Sequence, residues 1–178
     1  MKRYFCHIFE RLNPLNWSIR TIKVVTALFS LIFLPIYLFL GFQPSLPADA
    51  ANYPVLSIPT IHLETPVAPV ELIERELKAP ATIAGAYSSQ ENKILIIGHS
   101  STVFKKLDQI LIGDTFIYDN EQYRIQDTSI RTKSDINMSE VLAASGEKTI
   151  VIMTCAGTPL PDQDATHRLI ITATKLQK

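Results

Sequence analysis

Nineteen consecutive residues without a charge, Val24 to Phe42 (VVTALFSLIFLPIYLFLGF), constrain this chain more than any other feature. Only Thr26 and Ser30 interrupt the run as ordinary polar side chains. At about 1.5 Å rise per residue, a helix of that length reaches roughly 28 Å, close to the thickness of a hydrocarbon core. A helix in a soluble core keeps a polar stripe, and none exists here. Pro35 predicts a kink, which membrane helices tolerate. Arg20 and Lys23 lie just before the span, and no Lys or Arg follows it until Arg75. The flanks therefore place the N-terminus in the cytoplasm and the remainder outside the cell membrane. A cleaved signal peptide is the rival reading, because Ala48-Asp49-Ala50 has the small-x-small form of a cleavage site. A signal core usually spans only about 7–15 residues, which favours a retained anchor. Either way the same domain is exported.

Charge divides the chain at the same place. The whole carries 17 basic and 17 acidic residues, a net charge of zero. Residues 1–23 hold Lys2, Arg3, Arg11, Arg20 and Lys23 against Glu10 alone, a net +4, so everything beyond is net −4. An exported part of that sign gives no electrostatic case for nucleic acid. With hydrophobic residues at 47% the chain is not disordered. The expected organisation is a basic cytoplasmic tail (1–23), a transmembrane anchor (24–42), a proline-bearing linker (43–52) and one domain (53–178).

From Val55 onward the texture is mainly β. Short apolar or alternating runs recur at 55–58, 61–63, 93–97, 115–118, 122–125, 149–153 and 169–174, separated by turn signals. Asp119-Asn120-Glu121 reads as a hairpin turn. Many short strands at close spacing predict a barrel or sandwich. Two short helices are expected, near Val70 to Lys78 and near Ser139 to Ala144, the second capped from the Ser134 to Asn137 region.

Cys6 and Cys155 fall on opposite sides of the membrane, so they cannot form a disulfide within one chain. Cys155 is thus the sole cysteine of an exported domain, where oxidation is a hazard. It ends an apolar strand and precedes the loop-forming Ala156-Gly157-Thr158-Pro159, a common setting for a catalytic group, although a buried structural thiol is the competing reading. His99 likewise follows an apolar strand through Gly98. Of the other histidines, His7 is cytoplasmic, His62 sits inside an early strand and His167 adjoins Arg168 at the head of the last strand. Arg168 places a forked cation at the rim of an apolar sheet, as an ordinary surface arginine or as a donor to a developing oxyanion. No tight His, Cys or acidic spacing points to a metal.

Gly98-His99-Ser100 after a strand, Thr154-Cys155 ending a strand and Arg168 opening the next one together resemble the sortase family. Val55 to Ile61 resembles the family's opening strand, and Leu107 to Asp114 its stretch after the histidine. The resemblance covers residues 53–176. One departure is visible: the family's Thr-Leu-x-Thr-Cys stands here as Val151-Ile152-Met153-Thr154-Cys155, which bears on subclass more than on chemistry. The resemblance implies a sortase-type closed β-barrel of about eight strands with short helices. It also implies cysteine transpeptidation without a cofactor. Cys155 would attack the carbonyl after Thr in a Leu-Pro-x-Thr-Gly-like sorting motif, His99 would transfer protons, and Arg168 would stabilise the oxyanion. Thr154, Ser100 and Pro159 are candidate substrate contacts. Groove walls are expected from the Ala156 to His167 loop and from Gln126 to Ser145, with Pro159 and Pro161 beside an apolar pocket. The implied partners are surface proteins bearing a C-terminal sorting motif and an amine acceptor such as a cell-wall peptide.

Two other functions fit the same residues. One is an exported cysteine peptidase that hydrolyses its target, and the other a catalytically silent anchored binding module. An amine acceptor separates the first from a transpeptidase, and a thiol-reactive probe separates the second.

Overall fold

The structure, a computed structural model, describes residues 49–177 apart from Arg75 and residues 161–164. The expected anchor at 24–42 lies outside them. Among the described residues no helix is long and apolar enough to cross a membrane. The described residues all belong to one compact unit, Leu46–Lys178.

Ten strands follow in chain order: β1 (Val55–Ile58), β2 (Leu63–Pro69), β3 (Leu72–Ile73), β4 (Glu76–Leu77), β5 (Ala84–Gln90), β6 (Lys93–Ile97), β7 (Thr115–Tyr118), β8 (Glu121–Thr132), β9 (Thr149–Pro159) and β10 (Ala165–Lys175). Eight of them close a barrel in the order β1-β2-β5-β6-β9-β10-β8-β7, as the sequence predicts, while β3 and β4 form a separate hairpin. The pairs β2–β5 and β6–β9 are parallel and the other barrel pairs antiparallel. The single α-helix among the described residues, α1 (Met138–Val141), is one turn long and lies between β8 and β9.

Local sequence explains much of this. Asp119 and Asn120 both take positive φ, 51° and 62°, and join β7 to β8 by the predicted two-residue turn. Residues with short polar side chains tolerate that conformation, and its twist matches the flanking strands. Asn137 caps α1 by accepting from the Ser139 amide at 3.1 Å, close to the expected helix start. Strands β6 and β9 are apolar on both faces because both faces are covered. Residues 150 and 152 of β9 join the large inner cluster with Leu56, Phe116 and Ile171. Residues 151 and 153 join a second, outer cluster with Leu95, Ile97 and Ile170.

Three expectations are corrected. Val70 to Lys78 is the β3–β4 hairpin and not a helix, with Leu72 opposite Leu77 and Glu74 turning at φ 51°. The Val70 amide donates to Ala86 at 2.9 Å, and Val70 and Leu77 pack on the outer cluster, so tertiary pairing overrides helix propensity. His62 lies in a left-handed turn (φ 54°) between β1 and β2, not inside a strand. The Ala156 to His167 stretch is mostly strand, because β9 runs on to Pro159, which pairs with Ala165.

At the end of the barrel where β9 begins, Glu121 accepts from Lys148 and Lys175 and, at 2.9 Å, from the Tyr123 hydroxyl. These bonds, Lys148 first, hold its carboxyl down at about 2. A depressed carboxylate stabilises the fold above its unfolded value, roughly 4.3, and that contribution is lost as pH falls towards 2. Acid titration followed by circular dichroism should therefore show wild type losing stability between about pH 5 and 2, with a shallower loss in Glu121→Gln. Parallel acid curves for the two proteins would contradict the role assigned to this carboxylate.

Candidate active site

Cys155, expected to end its strand, lies inside β9, which runs on to Pro159, and Arg168, expected to open the last strand, lies inside β10, which begins at Ala165. Strand β9 lies between two neighbours. On one side β10 runs antiparallel with Arg168 directly opposite Cys155. Residues opposite one another share a face of the sheet. On the other side β6 runs parallel with Ile97 opposite Met153. The ladder ends at that pair, and His99 lies two residues beyond it, in the turn that follows β6. The alternation along β6, β9 and β10 runs Leu95 and Ile97, Val151 and Met153, and Ile170, all in the outer cluster. Cys155 and Arg168 continue the rows of β9 and β10 beyond that cluster.

The turn carrying His99 is built from its own backbone. The His99 carbonyl accepts from the Thr102 and Phe104 amides at 3.3 and 3.0 Å. Phe104 is thereby folded into the core, 2% exposed. Gly98 makes this approach possible, since a Cβ there would lie 2.7 Å from the Phe104 ring and from Val103. Buried Thr154 donates its hydroxyl to the Gly98 carbonyl at 2.8 Å, tying the residue before Cys155 to the residue before His99. Its hydroxyl acts on the site by fixing the two strand ends. Ser100 is half-buried in the turn after His99, and Pro159 is exposed four residues beyond Cys155.

His99 is exposed, while Cys155 and Arg168 are half-buried. The Arg168 Nη1 donates to the carbonyls of Ala165 and His167 at 2.9 and 3.0 Å, which fixes the guanidinium on its own strand. His167 neighbours Arg168 in sequence but takes the opposite face of β10 by alternation. It pairs there with Ala156, which packs on the inner cluster, and its Nδ1 bonds the Thr166 hydroxyl at 2.7 Å. Gly157, at φ 78°, leaves the room that His167 occupies.

Among the described residues no group of His, Cys, Asp or Glu is arranged to hold a metal. A cavity of about 240 Å³ opens on the outer face between β8, β10 and α1, lined by Val151, Ile170, Arg131, Asn137 and Val141 among others. Residues from the stretch expected to wall the groove, Asp127 to Val141, line it together with Lys93 and Thr172, whereas Cys155, His99 and Arg168 are not among its lining residues. A larger cavity of about 790 Å³ lies near Ile94, at the opposite end of β6 from His99. Two lining residues of the smaller cavity, Val151 and Ile170, were not singled out from sequence, although period-two counting back from Cys155 and on from Arg168 finds them.

A thiol and a forked cation on paired strands and an imidazole in the turn after β6 offer a nucleophile, an anion-stabilising group and a proton-transfer group. The arrangement depends on the Thr154–Gly98 bond. Thr154→Val keeps the shape but leaves a buried carbonyl unsatisfied, a cost of about 1–3 kcal/mol. Its denaturant midpoint should fall accordingly, and a midpoint equal to wild type would mean that the bond does not hold the strand ends.

Comparison with known proteins was made on this geometry. A family model described as Sortase domain matches residues 56–176. Similar solved structures include a lid mutant of Sortase A from Corynebacterium diphtheriae, 22% identical, with TM-score 0.54, covering 71% of this chain and 70% of that one. The pilus-related Sortase C of Group B Streptococcus is 20% identical, with TM-score 0.53 over 74% of this chain and 70% of that one. A Sortase D5 transpeptidase of Clostridium perfringens is 21% identical, with TM-score 0.52 over 70% of this chain and 79% of that one. At such identities the structural likeness bears on fold. No curated protein matches the chain.

Proposed function

Because the chain belongs to the sortase family, we propose that it is a membrane-anchored cysteine transpeptidase that transfers surface proteins bearing a Leu-Pro-x-Thr-Gly-like motif to an amine acceptor. The observation that carries this reading is the pairing of Arg168 opposite Cys155, supported by the Thr154 hydroxyl that ties the residue before Cys155 to the residue before His99.

The chemistry balances with these three side chains. The Cys155 thiolate attacks the carbonyl carbon after Thr, and Arg168 donates hydrogen bonds to the oxygen as it becomes negative. The peptide C–N bond then breaks, and the departing amine takes a proton from the His99 imidazolium. This leaves a thioester on Cys155 and a neutral imidazole. An incoming amine gives a proton to His99 as it attacks the thioester, the C–S bond breaks and the thiolate returns. Splitting one difficult exchange into two acyl transfers lowers the barrier of each. The anchor is residues 24–42, with the N-terminus cytoplasmic and the catalytic domain outside. The charge-free run and its basic flank support that reading.

The deciding experiment uses the full-length protein in detergent with a sorting peptide and a glycine-peptide amine, read by mass spectrometry. Transfer product is expected, with a thioacyl mass on Cys155 when the amine is withheld. Hydrolysis that added amine does not divert would favour a peptidase, and an unreactive Cys155 a binding module. Cys155→Ala should abolish both transfer and hydrolysis.

The two histidines give a sharper test. Loss of acid–base help typically costs about 10² to 10⁴ in rate, so His99→Ala should fall by at least that range. His167→Ala should fall far less, because His167 takes the other face of β10. Reversed sensitivities in the transfer assay would reassign the proton-transfer group.

For Arg168, losing one oxyanion donor typically costs about 10² to 10³ in rate. Arg168→Lys keeps the charge but not the planar fork and should stay impaired. Near-normal transfer by the lysine variant would remove the oxyanion role.

A further inference from the structure

The two strands that carry Cys155 and Arg168 change register just beyond the thiol. Pro159 pairs with Ala165, yet Ala156 pairs with His167, so Gly157 and Thr158 together oppose Thr166 alone. Gly157 sits at φ 78°, which makes this a β-bulge opened by a left-handed glycine. Pairing continued from Pro159 without the bulge would set Arg168 opposite Ala156, whose side packs on the inner cluster. With the bulge, Arg168 stands opposite Cys155. Side-chain bonds pin the bulge. The Thr158 amide donates to the Thr166 hydroxyl oxygen at 3.2 Å, and that oxygen lies 2.7 Å from His167 Nδ1. The hydroxyl accepts from the first and donates to the second when the His167 ring is neutral with its proton on Nε2. A Cβ at position 157 would lie 2.6 Å from that Nδ1 and 2.8 Å from the Thr166 oxygen. The same stretch holds the cation, because the Arg168 Nη1 donates to the Ala165 and His167 carbonyls on either side of Thr166.

We infer that Thr166 is a positioning residue for Arg168. Its hydroxyl fixes the bulge, the bulge fixes the two flanking carbonyls, and these hold the guanidinium opposite Cys155. This rests on the transpeptidase reading above, in which Arg168 stabilises the oxyanion. A donor is worth most when its direction is set before the charge develops. Bulges beside active sites re-aim side chains in this way. A loosened guanidinium leaves peptide binding intact but meets the oxyanion less often, so the loss falls on kcat and not on KM.

The test uses the full-length protein in detergent with the sorting peptide and the glycine-peptide amine. Thr166→Val should lower kcat about tenfold, less than outright loss of an oxyanion donor, with KM nearly unchanged. Thr166→Ser keeps the hydroxyl and should recover most of the rate. Gly157→Ala displaces the same bond from the other strand and should act like Thr166→Val. In an Arg168→Lys background Thr166→Val should cost less than about twofold, because the residue through which it acts is already gone. A second measurement needs no turnover. The Arg168 Nε–H signal, identified by its loss in Arg168→Lys, should give a rigid heteronuclear NOE in wild type and Thr166→Ser and a mobile one in Thr166→Val. An unchanged kcat in Thr166→Val, a loss in KM alone, or equal losses with and without Arg168 would overturn the proposal. So would an Arg168 signal equally rigid, or equally mobile, in wild type and Thr166→Val. If wild type transfers no peptide, the transpeptidase reading falls, and the NOE comparison then decides the positioning role by itself.

Discussion

Strand β9 is hydrogen-bonded along both edges, parallel to β6 and antiparallel to β10, and the rest of the site depends on that double pairing. A strand held on one edge can slip, and a slip of one residue would turn Cys155 into the barrel. Held on both, it cannot slip without breaking two ladders. The Thr154 hydroxyl on the Gly98 carbonyl extends the connection beyond the last pair of the β6 ladder. It does so at the point where His99 leaves the strand. Cys155 and Arg168 are thus held in one row and the His99 turn is tied beside them, and positioned groups are worth most when they need no reorganisation.

The two faces of the same strands divide the labour. The inner face supplies the barrel's core, where Ile150, Ile152 and Ile171 are fully buried. The outer face begins as a second apolar cluster under α1 and the β3–β4 hairpin, and beyond that cover it carries Cys155 and Arg168. A reactive thiol placed inside the barrel would be inert, and one on a bare surface would meet only water. A half-buried position at the margin of an apolar cluster avoids both outcomes. His167 illustrates the rule from the other side. It is one residue from Arg168 and takes the opposite face, where it packs into the space left by Gly157.

The ion pairs of Glu121 with Lys148 and Lys175 join the start of β8 to the approach to β9 and the end of β10. These are the strands that carry Arg131, Cys155 and Arg168. The bonds lie at the far end of those strands, so the charge network supports the scaffold without entering the site. Its worth in partly exposed surroundings is modest.

Cys155 and Arg168, read as ending one strand and opening the next, lie inside β9 and β10. Sequence alone determined the fold class, the place of His99 just after β6 and the Asp119-Asn120 turn. Each is a local matter of hydrophobic run, turn chemistry or backbone conformation, which a few neighbouring residues specify. The small-residue strand Ala84–Gln90 escaped notice because Ala, Gly and Ser have little strand preference, and β6 imposes the conformation by pairing. The 70–78 segment reads as helical by spacing but becomes a hairpin, since Val70 and Leu77 find their apolar partners on the outer cluster. Only the tertiary structure decided which strands lie side by side. It therefore decided that Arg131 lies opposite Arg168, that Thr154 binds Gly98, and that Val151, Met153 and Ile170 share the outer cluster. Register between strands distant in the chain is set by closure of the whole barrel and the burial of one face, and no local stretch of residues contains that information.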